Sequence, residues 1–133
     1  MTTLKTTLTA AVFGLTMTAT TATANPANVE RVTEGLIATG MAYELGEKCD
    51  GVSARMLRGL NFLYGLKSHL QDLGYSNAEI DTFVDDRVEK DRLEAIARAR
   101  LASLGVRTDD AATYCAVARS HIAQDTQVGR LLR

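Results

Sequence analysis

The octapeptide Leu73-Gly74-Tyr75-Ser76-Asn77-Ala78-Glu79-Ile80 sets two helices against each other at a corner. Gly74 suits the left-handed conformation that closes a helix, because it has no Cβ to clash. Ser76 is placed to cap the next helix, and Glu79 three residues on completes a capping box. Tyr75 and Ile80 occupy the two staple positions that flank such a box. One helix therefore ends near residue 73 and another starts near 77. A corner of this kind could serve DNA recognition, but Asp81, Asp85 and Asp86 follow it where a basic recognition helix would be needed. The corner reads as architecture.

Helical periodicity extends from this corner in both directions. Upstream, Met56, Leu57, Leu60, Leu63, Tyr64 and Leu70 recur at helical steps over about 54–73, with Ser53 as the expected cap. Gly59 and Gly65 interrupt that helix at about 1 kcal/mol each relative to Ala. Either another helix backbone approaches them closely or they are simply tolerated. A first helix over about 28–46 carries Val29, Val32, Leu36, Ile37, Met41 and Leu45 on one face, and stops at Gly46 or at Cys49-Asp50-Gly51. Downstream, a short helix over 77–86 leads into one over 87–104 with Val88, Leu93, Ile96, Ala97, Leu101 and Leu104 along one side. The charged run Asp85–Arg92 nearly neutralises itself, and Asp86 with Lys90 and Glu94 with Arg98 have the favourable acid-first spacing. Gly105 ends this helix, with Val106 folding back on Leu101. Thr108-Asp109-Asp110 open a fifth helix with the stripe Tyr114, Val117, Ala118, Ile122 and Val128. The tail Gly129-Arg130-Leu131-Leu132-Arg133 reads as a frayed helix end or a docking segment. The fold class is all-α: a compact bundle of four or five helices, with no repeat and no linker.

The chain has 133 residues, too few for more than one ordinary domain. At 46% hydrophobic with a net charge of −1 it is too apolar and too balanced to be disordered, and nothing in its global charge favours nucleic acid. The first residues read as a signal peptide. Lys5 supplies the positive start, Leu8–Leu15 a modest apolar run, and Ala22-Thr23-Ala24 the small residues of a cleavage site between Ala24 and Asn25. A membrane anchor is the competing reading, but residues 6–24 contain eight Thr, which shortens the apolar run below the roughly 20 residues a span requires. The expected organisation is a signal peptide over 1–24 and a single helical domain over 25–133, periplasmic or secreted, with no transmembrane span after cleavage. Removing 24 residues from 133 leaves 109, and losing Lys5 takes the charge from −1 to −2.

In an oxidising compartment two cysteines argue for a disulfide, here Cys49 to Cys115 across 66 positions. The chain-entropy model gives such a link about 4 kcal/mol. Metal binding is the weaker alternative, because there is no Cys-x-x-Cys and His69 and His121 stand alone. The best catalytic fragment is His121 with Asp125 one turn on and Arg119 nearby, but no nucleophile can be assigned to it. Glu44, Glu47 and Asp50 lack the alternating oxygens of a calcium loop. There is no phosphate-binding glycine motif and no nucleophile elbow. The chain is thus expected to be non-catalytic, with no cofactor and no metal, and to act through a protein partner. The candidate contact residues are Tyr43, Tyr64 and Leu131-Leu132.

Ser53-Ala54-Arg55-Met56, Gly65-Leu66-Lys67, Leu73-Gly74-Tyr75-Ser76 through Glu79-Ile80, Tyr114-Cys115-Ala116 and Gly129-Arg130-Leu131-Leu132 form one series. Together with the leader and Cys49, the series resembles a family of small exported alphaproteobacterial helical proteins, a domain of unknown function. The resemblance covers nearly all of the mature chain and brings no activity or site residues. It implies that related genes lie among those for respiratory complex I. That would make the protein an accessory subunit peripherally associated with an inner-membrane complex. A small acid or stress chaperone is the alternative: small disulfide-stapled helical proteins can expose apolar surface when acid protonates their carboxylates, and this one carries 16 acidic residues against two His. Mass spectrometry of the non-reduced protein from its own envelope is expected to show a chain starting at Asn25 and two hydrogens lighter than the dithiol. A chain starting at Met1 would remove the cleaved-signal reading in favour of the anchor.

Overall fold

A computed structural model describes residues 24–133. The leader expected over 1–24 lies outside the described residues, apart from Ala24. A short 3-10 turn over Pro26–Asn28 is capped by the Asn25 side chain, which accepts from Ala27 N at 2.9 Å. Six helices follow: α1 (Glu30–Lys48), α2 (Met56–Asp72), α3 (Asn77–Asp85), α4 (Arg87–Ser103), α5 (Ala111–Ala123) and α6 (Gln127–Arg130). The all-α reading holds, and the disulfide joins Cys49, just past the end of α1, to Cys115 in α5.

The local signals at the corner form as expected. Ser76 Oγ accepts from Glu79 N at 3.2 Å while Glu79 Oε2 accepts from Ser76 N at 2.7 Å. Gly74 has φ +96°, and Tyr75 N and Gly74 N reach back to the carbonyls of Leu70 and Gln71. The same closure ends α4, where Gly105 has φ +102° and Val106 N donates to Leu101 O. It recurs at the end of α5 with Asp125 in the left-handed position, φ +49°, and Thr126 N donating to His121 O. An aspartate tolerates this region better than most residues, because its short polar side chain bonds locally. This turn, unmarked by glycine, separates α6 from α5.

The core runs along α1. Ile37, Ala38, Met41, Ala42 and Leu45 are buried with Leu93, Ala97 and Leu101 of α4, Tyr114, Val117 and Ala118 of α5, and Val128, Leu131 and Leu132. Val32, Leu70 and Ile80 form a second, smaller cluster at the corner, with Tyr75 against it. Outside the core, two arginines tie α4 to α1. Arg100 holds Glu34 through two hydrogen bonds of 2.6 and 2.7 Å, and Arg98 reaches Glu44 at 3.2 Å.

Three expectations are corrected. Ser53 does not cap α2. Instead Ser53 and Arg133 exchange both backbone hydrogen bonds, Arg55 N donates to Leu131 O, and Ala54 pairs with Leu132. The tail is accordingly neither frayed nor free to dock, and Leu131 and Leu132 are 3% and 2% exposed. Asp86 does not pair with Lys90, because its carboxylate caps α4 by accepting from Val88 N and Glu89 N. The expected Glu94–Arg98 pair does form, at 3.5 Å.

The glycines divide sharply. A Cβ at Gly129 would overlap the His121 carbonyl and come 2.8 Å from Ile122 N, so α6 closes on α5 only with glycine there. Gly59 and Gly65 have nothing within 4 Å, which selects tolerance over close approach. Gly129→Ala is expected to destabilise by at least the roughly 1–3 kcal/mol of an overpacked site. Gly65→Ala is expected to be neutral or to stabilise by up to about 1 kcal/mol. Thermal unfolding of the two variants checks the contrast.

Candidate functional site

Three surfaces of the bundle offer places for chemistry or recognition. The largest is a cleft of about 620 Å³ along α1, floored by Gly35, Ala38 and Met41. Phe62 and Leu66 of α2 line one side, Arg100 of α4 with its C-cap Leu104 the other, and His121 and Val128 complete the lining. The floor is low because Gly35 lies under Leu66, whose Cδ1 would be 2.7 Å from any Cβ there. The Arg100 guanidinium beside Glu34 holds that carboxyl below the usual glutamate range.

His121 is the sequence-selected base, and the structure separates it from its expected partner. Residue 125 would lie one turn on only if α5 continued, but α5 ends at Ala123 and Asp125 turns away to bind Arg130 at 3.1 Å. Nδ1 of His121 sits 2.8 Å from the Thr126 hydroxyl, which also accepts from Gly129 N at 3.1 Å. Nε2 is shielded from solvent and has no partner among the described residues. Burial pushes the His121 imidazole below its ordinary value, which favours the neutral form. The hydroxyl brought to the ring, that of Thr126, is shared with Gly129 N, so this contact ties the α5–α6 turn. Arg119 is instead near Gly51, its Nη2 3.9 Å from a Cβ placed there.

The second surface is an apolar pocket of about 210 Å³ between α1, α3 and α4. Leu36, Phe83, Val84 and Leu93 line it, and Asp86, Glu89, Lys90 and Glu94 surround it. Val84 and the neighbouring Val88 are largely exposed. The third is the outer side of α2, where Met56, Leu57, Leu60 and Tyr64 are 68%, 79%, 47% and 67% exposed. Tyr43 is exposed as well, but on α1, beside Glu44 and Thr108. Of the suggested contact residues, then, Tyr43 and Tyr64 are available and Leu131-Leu132 are not. Glu44 is engaged by Arg98, and among the described residues no group of three His, Cys, Asp or Glu is placed to hold a metal. No helix among them is long and apolar enough to cross a membrane.

The pocket residues were invisible as a group in the sequence. Leu36 and Phe83 come from distant segments, and the only local hint was Val84 and Val88 standing on otherwise charged turns. These features define a disulfide-stapled, all-α domain with apolar surface left on two sides. The chain belongs to a family of unknown function, DUF5333, whose model matches residues 25–133. No curated protein and no solved structure matches it.

The His121 environment fixes a pH window. The folded value lies below the unfolded one, near 6.5, so the unfolded chain takes up the proton first as pH falls. The contribution is present above about pH 6.5 and is lost as pH drops through the folded value. Glu34, Glu79 and Glu89, each held low by hydrogen bonds, act in a later window, below the ordinary glutamate range. His121→Gln is expected to flatten the decline in melting temperature between about pH 7 and pH 5 while leaving the more acidic decline in place. Melting curves across that range check it.

Proposed function

We propose that the chain is an exported, non-catalytic protein that works by binding a protein partner, as an accessory subunit peripherally associated with an inner-membrane respiratory complex. The export part rests on the leader pattern up to Ala24, and the respiratory complex on the family resemblance. The observation that carries the binding part is the apolar pocket lined by Leu36, Phe83, Val84 and Leu93. A pocket of about 210 Å³ has room for one large apolar side chain, the usual form of an interface anchor. The rim is mixed in charge, with Lys90 beside Asp86, Glu89 and Glu94, and with Glu89 held by Arg92 and Glu94 by Arg98, so apolar contact is what the pocket offers a partner. The separation of His121 from Asp125 supports the non-catalytic part of the reading.

A second reading, an acid-responsive chaperone, draws on the Arg100–Glu34 contact between α4 and α1. Protonating Glu34 would loosen that tie and open the cleft beside it. The two readings separate in one preparation. The tagged protein, lightly cross-linked in its own envelope extract, is expected to retain one defined protein, and Val84→Asp is expected to lower that yield about tenfold, as loss of an anchor contact does. Val84 is exposed, so the variant keeps its fold. A mixture of unfolded clients, unchanged by Val84→Asp and growing at acid pH, would favour the chaperone.

A further inference from the structure

The outer side of α2 differs in kind from the α3–α4 pocket. Residues 51–71 contain no Asp or Glu, but they include Arg55, Arg58 and Lys67. At 100° per residue, Leu57, Leu60 and Tyr64 fall within a sector of roughly 60°, and Met56 widens it to roughly 100°. All four are largely exposed, and none belongs to either core cluster. The core-facing side of the helix is instead Phe62, Leu66 and Leu70. The helix thus carries two apolar sectors, and the fold covers only one.

The charge beside the uncovered sector is positive and is reinforced by the tail. Arg58 Nη1 donates to Arg130 O at 3.4 Å, and Arg133 Nε reaches the Ser53 hydroxyl at 3.3 Å. This brings Arg130 and Arg133 alongside Arg55 and Arg58 at the N-terminal end of α2. The nearby carboxylates are few. Asp125 is bound by Arg130, Asp81 lies 3.9 Å from Lys67, and Asp50 and Asp72 flank the segment at its two ends.

We infer that α2 is an interfacial helix that lays its Met56, Leu57, Leu60 and Tyr64 side onto an anionic lipid surface, with Arg55, Arg58, Lys67 and Arg133 meeting the headgroups. A helix lying in an interface needs a protruding apolar stripe beside cationic side chains, and α2 has both. The stripe stands out from the bundle as a single ridge, and a fluid bilayer moulds to a ridge without a matching groove. Two α2 faces from two copies would bring like charges together, which argues against self-pairing through this side. No helix need cross the membrane for this contact. The inference is independent of the protein-binding pocket, which lies on the α1–α3–α4 side.

Vesicle co-sedimentation of the purified protein tests it. Vesicles of phosphatidylglycerol with phosphatidylcholine are expected to retain the protein at low salt, and phosphatidylcholine alone is not. High salt should release it, because the attraction is partly electrostatic. Leu57→Ser with Tyr64→Ser, and separately Arg58→Glu, should each weaken retention about tenfold or more while circular dichroism stays unchanged. Val84→Asp, on the other surface, should not alter vesicle binding, so failure of the pocket reading and failure of this one remain distinguishable. No retention on anionic vesicles at low salt would overturn the inference. So would retention that ignores the α2 substitutions, or capture of an acidic soluble protein through the same face in place of lipid.

Discussion

Enclosure of α1 is the constraint on which the bundle depends. The helix touches α2, α4, α5 and α6, so it must be apolar or small around most of its circumference. It meets this with large side chains at Ile37, Met41 and Leu45 and with small ones where neighbours come close. Gly35 lies beneath Leu66, Gly40 faces Ala97, and Gly46 would put a Cβ 3.0 Å from Ala54 N. Each neighbour is then fixed by its own device. The disulfide holds α5 to the end of α1, and Arg98 and Arg100 hold α4. The backbone pairing of residues 53–55 with 131–133 holds the entry to α2 against the tail.

Features set by nearest neighbours were legible in the sequence. Gly74, the Ser76–Glu79 box and Gly105 act within one turn of chain, and they sit where their chemistry requires. Features set by distant segments were not. Ser53 has the side chain of a cap, but its backbone is taken up by Arg133, 80 residues away. Leu131 and Leu132 looked available for the same reason, since nothing near them in the chain shows what covers them. Asp125 misled in a different way. Spacing of four pairs side chains only inside a helix, and this residue is the point at which the helix stops.

The candidate surfaces were legible only as residue types. Periodicity gathered Met56, Leu57, Leu60, Leu63, Tyr64 and Leu70 as one helical series, whereas the fold divides them between covered and uncovered sides. Leu70 is 2% exposed and Leu57 is 79% exposed. The apolar positions of α2 are spread too widely for a helix packed against α1 on one side and α3 at its end. Which sector is covered depends on where α1 places its glycines, and that is a property of another helix. The two uncovered surfaces also differ in charge: the α3–α4 pocket has a mixed rim of carboxylates and Lys90, whereas arginines border α2. A near-neutral total therefore conceals a local excess of positive charge along α2.

The small cluster of Val32, Leu70 and Ile80 has a consequence of its own. It is the main apolar anchorage of α3, whose only fully buried side chain is Ile80. Amide protons of α3 should therefore exchange with solvent through a sub-global opening that leaves the larger cluster intact. Because α3 lies inside the covalent loop from Cys49 to Cys115, the opened segment stays tethered at both ends, and its return is a short search. This lightly anchored part of the bundle is thus one that the cross-link keeps from straying.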